Sequence, residues 1–342
     1  MNLQDRTVWQ VGAGDGERRY DDICVKYDVA VVGPGYFGPF EEQLYAGPGN
    51  DSVRRFYKEA KKGDIVLLRL GTGQIYAVGT IEDDQPAFLE EFGHIDGWDL
   101  SHTRRVRWIP NTRHEFPAGT LGARVSPFAR VFVGAVHEWL HGLEVAEGAL
   151  RRDLATMPVK SKDMPDEELG RQLFIEGLAS EYIDNLIRVL QSIRRVGAWY
   201  WNEEKRPRGR PSERETVTYL TVPLLFALGW SHQTAAIEWR GIDVALFTKM
   251  PPEDSTLACV VEAKTLDSSV FRAVGQARNY AIGEGREGCR RLVITDGIRY
   301  TYFEKDEEDF KLRAYMNILR MREQYPVYGC AGAVQAIMGM AR

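Results

Sequence analysis

The sequence predicts a mixed α/β chain in three parts: a small, curled, mostly-β region over 1–120, a helical connector over 121–205, and an α/β region over 206–342. Three observations carry the prediction. Strand-like runs dominate the first part, among them 64–70 and 74–81 joined by Gly71-Thr-Gly73, a hairpin signal. Apolar residues recur at helical spacing from Ala129 to Ala155 and from Glu167 to Tyr200. After Ser212 a capped helix, three strands, a helix and a hairpin follow in order, and acids and a lysine sit at the strand ends.

Composition narrows the function classes. The 342 residues suit two or three domains of roughly 150 residues each. A net charge of −5 gives no global nucleic-acid signature, so such binding would come from local basic patches. Cys24, Cys259, Cys289 and Cys330 lack C-x-x-C spacing, which argues against a zinc ribbon or disulfide framework and fits a reducing cytoplasm. The first residues lack a signal peptide's apolar core, and no apolar run approaches the ~20 residues of a membrane span. A soluble cytoplasmic protein without a membrane partner is expected.

In the first part, Val8–Val11 reads as a strand and Gly12-Ala-Gly-Asp-Gly16 as a turn, its third glycine misplaced for a dinucleotide fingerprint. Val25, Tyr27, Val29 and Val31 alternate, predicting a strand over 25–32. A Gly/Pro/aromatic loop spans 33–40, and an amphipathic basic helix is expected over 53–62. The opening Trp9 strand, the short helix, Lys62-Gly-Asp-Ile-Val, a Tyr-Ala-Val-Gly strand and the late Trp108 resemble the PUA-like group that includes EVE and YTH domains. That resemblance covers about the first 110 residues and implies nucleic-acid binding, with a modified base held among aromatics. It makes Trp9, Tyr36, Phe37 and Trp98 candidates for a modified-base pocket, with Arg104, Arg105 and Arg107 near phosphates. The alternative is that the tryptophans are barrel core and the arginines a solvated edge.

The middle holds His137-Glu-Trp-Leu-His141, which satisfies the H-E-x-x-H pattern of a zinc-peptidase helix. No third histidine at metzincin spacing and no downstream glutamate element follow, so a surface helix carrying two histidines is the competing reading. Pro207-Arg-Gly-Arg-Pro211 resembles an AT-hook, which lays arginines along a narrow minor groove. It competes with a basic interdomain linker, and either reading puts Arg206, Arg208 and Arg210 near phosphates.

In the last part, Ser212-Glu-Arg-Glu215 is a capping box. Glu213 falls on the apolar stripe of Val217, Leu220, Leu224 and Leu228, where a carboxylate needs a cation or partner. Strands are expected over 235–239, 241–247 and 257–264, with Asp243 early in the second and Glu262 and Lys264 on one face of the third. A helix over 270–282, capped by Asp267-Ser268, places Gln276 and Tyr280 one turn apart, and a hairpin follows over 291–303.

Glu213, Asp243, Glu262-x-Lys264 and Gln276-x-x-x-Tyr280, in this order, resemble the PD-(D/E)xK nuclease superfamily, and within it the nuclease domain of type I restriction motor subunits. Leu228-Gly-Trp230 and Leu292-Val-Ile-Thr-Asp-Gly297 extend the likeness over about 211–303, although Ile242 stands where a proline is common. The resemblance implies a restriction-endonuclease-like α-β-β-β-α-β core and an Mg²⁺- or Mn²⁺-dependent endonuclease acting on DNA. Asp243, Glu262 and the Ala263 carbonyl supply hard oxygen ligands, Glu213 completes the shell, and Lys264 orients water or neutralises charge. Gln276 and Tyr280 support the site by resemblance. The expectation is a modification-dependent restriction or phage-defence nuclease without an ATP motor of its own, since no Walker motif occurs. Its alternatives are an inactive nucleic-acid-binding protein on the same fold and a zinc peptidase using His137, Glu138 and His141. Helices over 309–324 and 332–340 are expected to pack on the core or to form an oligomer interface.

Overall fold

The computed structural model describes every residue except Asn2, 123–126, 146–147, 149–151 and 202–209. The chain divides into two compact units, Met1–Lys160 and Ser161–Arg342, so the stretch expected as one connector is shared between them. Among the described residues, no helix is long and apolar enough to cross a membrane.

The first unit runs β1 (Val8–Gly12), α1 (Asp21–Tyr27), β2 (Val29–Val32), α2 (Asp51–Lys58), β3 (Ile65–Leu70), β4 (Gln74–Ile81), β5 (Ala87–Phe88), β6 (His102–Ile109), β7 (His114–Glu115), β8 (Phe128–Arg130) and α3 (Gly134–Gly142). Its strands lie in the order β2-β6-β4-β3-β1-β8, with β5 on β6 and β7 on β4. The sheet curls into a half-barrel, and α2 contacts both outer strands, β2 and β8. Ser52 Oγ, on α2, donates to Phe128 O at 3.3 Å. Every residue of β3 is buried, as its run of Ile, Val and Leu requires of a strand covered on both faces.

Two expectations fail here for local reasons. The alternation over 25–32 is real, but Asp28 adopts φ +51 and caps α1, so a strand begins only at Val29. A residue in the left-handed region cannot continue an extended chain. Among the described residues, α-helix over 129–155 is confined to α3: Phe128–Arg130 pairs with β1, and Arg105 and Arg107 bond the main-chain carbonyls of Ala155 and Arg152.

The second unit runs α4 (Asp166–Ile175), α5 (Ser180–Trp201), α6 (Glu213–Thr216), a π turn (Val217–Thr221), α7 (Val222–Ala227), β9 (Ala235–Trp239), β10 (Ile242–Phe247), β11 (Leu257–Ala263), α8 (Val274–Ala281), β12 (Arg291–Thr295), β13 (Arg299–Asp306), β14 (Asp309–Asn317), β15 (Gln324–Tyr325), β16 (Cys330–Ala331) and α9 (Ala333–Met340). Its sheet has the order β15-β16-β14-β13-β12-β11-β10-β9. β11 and β12 are parallel, and α8 is the crossover between them, packing on both. Leu190, Leu224 and Ile337 pack with Val244, Val261 and Val293 in one core. Ala277 and Ala281 of α8 pack with Ala245, Val260 and Leu292 in the other. The result is three layers, helix–sheet–helix.

The helix expected over 309–324 is instead strand β14 followed by irregular chain, paired along β13 from Asp306↔Asp309 to Arg299↔Asn317. The helix expected over 270–282 opens with a 3-10 turn, Phe271–Ala273, and becomes α-helical only at Val274. α9 forms as expected and buries Ala333, Val334, Ala336, Ile337 and Met340 within this unit.

Candidate active site

The site is built where β10 and β11 meet. They pair antiparallel with Val244 opposite Val261, so one step on Asp243 faces Glu262. Asp243 Oδ2 accepts the main-chain N–H of Ala263 at 2.7 Å, which pins the carboxylate to the neighbouring strand. Alternation along β11 sends Val261 to one core and Val260 to the other, with Glu262 on the side of Val260. Lys264 follows the strand and donates from Nζ to Glu262 Oε1 at 2.7 Å. Its ammonium also lies 3.7 Å from Glu213 Oε1 at the start of α6, where Ser212 forms the expected reciprocal capping box with Glu215. Glu213, Asp243, Glu262 and Lys264 are therefore brought together from three separate elements.

Burial sets the electrostatics. Glu262 is 1% exposed, and desolvation pushes its carboxyl up to about 7, with Asp243 and Glu213 adding to the rise and Lys264 opposing it. Asp243 is raised mainly by burial, against the Ala263 N–H and Lys264. Glu213 is raised for the same first reason. Burial opposes the charge on Lys264, but Glu262, Glu213 and Asp243 outweigh it and hold the ammonium above its ordinary value. Beside these groups opens a cavity of about 380 Å³ lined by Glu213, Arg214, Val217, Thr218, Ile237, Glu238 and Asp243.

The donor set fits a hard divalent cation in one respect that matters. Glu262 Oε2 is buried and accepts no hydrogen bond, while Oε1 is taken by Lys264. An orphaned carboxylate oxygen is costly unless a proton or cation meets it. Among the described residues, no three His, Cys, Asp or Glu side chains form a ready metal cage. Mg²⁺ suits such a site, because it binds through one or two carboxylates and keeps several waters.

Gln276 and Tyr280 reach the same strand end. Gln276 Nε2 donates to Tyr280 Oη at 3.4 Å, and a Cβ on Gly241, two residues before Asp243, would lie 3.3 Å from that oxygen. Arg210 is exposed and 3.6 Å from Asp267, whereas Arg206 and Arg208 lie outside the described residues.

The first unit departs further from expectation. Trp9 is fully buried, stacks on Phe128 at 4.8 Å and donates from Nε1 to Asp64 at 2.8 Å, so it is core and not a stacking platform. Arg104 is 1% exposed and bonds Asp83 and the carbonyl of Ala60; it is not available to a phosphate. Arg105 donates to Ala155 O, and Arg107 to Glu82 and to Arg152 O, so both are committed within the unit. Trp98 is half-buried under Arg18, whose guanidinium lies 5.1 Å from the ring. Tyr36 and Phe37 are exposed, with ring centroids 4.4 Å apart.

Phe37 also leads to a group that sequence reading missed. It packs edge-on to Tyr45, Phe40 stacks on Tyr57 at 4.4 Å, and both tyrosines hold His102. His102 Nε2 faces the carbonyl of Pro34, so that nitrogen carries the proton and Nδ1 accepts from Tyr57 Oη. The aromatic loop over 33–40 was the visible signal; its partners Tyr45, Tyr57 and His102 stand too far along the chain for spacing to connect them.

The H-E-x-x-H segment lies on α3. His137 Nε2 bonds Val131 O at 3.0 Å, and Trp139 between the histidines stacks on His114 at 4.6 Å. In this structure the helix braces β7.

One family model matches the chain: Domain of unknown function DUF8426, over residues 39–125, within the first unit. No curated protein and no solved structure matches the chain.

Proposed function

We propose that the second unit hydrolyses phosphodiester bonds with a divalent cation, and that the protein is an Mg²⁺-dependent DNA endonuclease of the PD-(D/E)xK type. The observation that carries this reading is the buried, unpartnered oxygen of Glu262, set between Asp243 and Lys264. In this reading Asp243, Glu262 and the Ala263 carbonyl hold the cation, with Glu213 joining directly or through water. A cation held there would polarise the phosphate and lower the pKa of the attacking water. Lys264 remains charged through the range in which a nuclease works, because three carboxylates surround it. Its ammonium is placed to orient the water or to meet the charge that develops on phosphate oxygen. Attack by the water oxygen on phosphorus breaks one P–O ester bond and leaves a phosphate monoester and a hydroxyl.

The first unit, in this proposal, is a PUA-like nucleic-acid reader that presents Tyr36 and Phe37, and the whole acts as a modification-dependent restriction or phage-defence enzyme. The test is cleavage of plasmids from hosts with different base modifications, in Mg²⁺ and in Mn²⁺. Cutting that depends on the cation and is abolished by Lys264→Ala supports the assignment; full activity of Lys264→Ala sinks it.

A further inference from the structure

Behind the strand ends lies a buried ion pair that the proposed chemistry does not use. Asp296 and Arg299 are 0% and 2% exposed, and the guanidinium meets Asp296 Oδ2 from Nη2 at 2.6 Å and from Nε at 3.0 Å. Asp296 Oδ1 accepts the N–H groups of Ile298 and Arg299, closing the turn between β12 and β13. Both partners also reach out of the turn. Asp296 Oδ2 accepts the N–H of Asp267 at 2.9 Å, and Arg299 Nη2 donates to Ser268 O at 2.9 Å. Just before them, Thr295 O accepts the N–H of Lys264 at 2.7 Å. The chain leaving β11 is thus held at Lys264 by the end of β12, and at Asp267 and Ser268 by the turn that follows directly.

The same turn touches the element that carries Glu213. Gly297 has φ +87, and a Cβ there would lie 2.5 Å from Leu220 Cδ1 and 3.0 Å from Thr216 Cγ2. Tyr300 Oη donates to Leu220 O at 3.3 Å. An apolar pair of similar volume would stabilise this position as well or better, since two charges have been taken out of water. What an apolar pair lacks is the planar fork that aims donors at fixed acceptors.

We infer that Asp296 and Arg299 are positioning residues: their fork sets where Lys264 stands relative to Glu262 and Glu213. This rests on the nuclease reading of the site. The experiment uses full-length Arg299→Met, Arg299→Lys and Asp296→Asn, with thermal melting as the fold control. Three readouts follow: Mn²⁺ binding by electron paramagnetic resonance, kcat and KM on plasmid, and hydrogen exchange at the Lys264 amide. Expected for Arg299→Met are a kcat about 10- to 100-fold lower, weakened Mn²⁺ binding and an unchanged KM, the scale seen when groups supporting a metal site are removed. Arg299→Lys should recover part of the loss. Folded Arg299→Met with wild-type kcat and Mn²⁺ binding overturns the inference, as does a kcat loss that only follows the unfolded fraction. If the wild type neither cuts nor binds Mn²⁺, the nuclease reading has failed, and exchange alone decides: faster exchange at Lys264 in the folded variants upholds the positioning role, unchanged exchange overturns it.

Discussion

Arg104 in the first unit and Glu262 in the second are both 1% exposed, yet their surroundings differ in kind. Arg104 is matched by the Asp83 carboxylate and main-chain oxygens. Arg69 likewise donates to Gln10, Gly71, Leu121 and Gly122, and the buried Asp28 carboxylate is met by Arg152 and the Ala155 N–H. Glu262 keeps an oxygen that accepts nothing, beside two further carboxylates raised by burial. The difference teaches that burial of charge does not mark a site. An unfilled oxygen does not mark one alone either, since Glu91 Oε1 in the first unit is also buried without a partner. What sets Glu262 apart is that its open oxygen stands beside Asp243, Glu213 and Lys264, where a desolvated oxygen is costly unless a proton or cation meets it.

The contrast can be broken most directly at Glu262. Glu262→Gln should cut cleavage by about 10²- to 10³-fold, the scale for removing one group that stabilises transition-state charge. It should leave the melting temperature unchanged or raise it, since the amide removes a buried charge. A large drop in stability would place Glu262 with the scaffold. Arg104→Met should do the reverse. It strands Asp83 beside an apolar chain and should cost about 3 kcal/mol in urea unfolding, as breaking buried pairs does. The salt dependence of DNA binding should stay the same, because Arg104 faces no solvent; a shallower slope would return it to the phosphate contacts.

The third and smallest effect concerns pH. Burial pushes His102 down to about 4. Its folded pKa therefore lies below the ordinary value of about 6.5, and as pH falls the unfolded chain takes the proton first. The stability that neutral His102 contributes is complete above about pH 6.5 and is lost as pH falls toward 4, up to on the order of 3 kcal/mol across the window. At pH 5 roughly 2 kcal/mol of it should be gone. Urea unfolding of wild type and His102→Gln at pH 7 and pH 5 reads this as a difference of slopes; parallel slopes would refute it.

Much of the second unit was legible because its signals are local. The Ser212 capping box, the Asp296-Gly297 turn and the strands around Asp243 and Glu262 each declare themselves within a few residues. β14 shows where that fails. Phe310, Leu312, Ala314 and Met316 alternate, but Lys311, Leu312, Arg313, Ala314 and Met316 also favour helix, and pairing along β13 decides the outcome. Trp9, Arg104 and His102 were opaque for another reason. Their partners Asp64, Asp83 and Tyr45 stand 55, 21 and 57 residues away, and nothing in sequence spacing announces such pairs. The orphaned oxygen of Glu262 is likewise a property of surroundings and not of residue type.

The π turn at Val217–Thr221 has its own consequence for the geometry around Glu213. Each residue of an α-helix advances the chain by about 100°, and a π turn holds one residue more than its neighbours. Glu213 and the buried Leu224 therefore stand out of phase by about a quarter-turn from where unbroken α-helical spacing would set them. The segment works as a phase joint. Upstream of it the carboxylate is dialled toward Lys264; downstream, Leu224, Leu225 and Leu228 keep their own bearing on the core. Val217 and Leu220 within the joint are themselves buried in that core, so the packing locks the phase in which the carboxylate is presented.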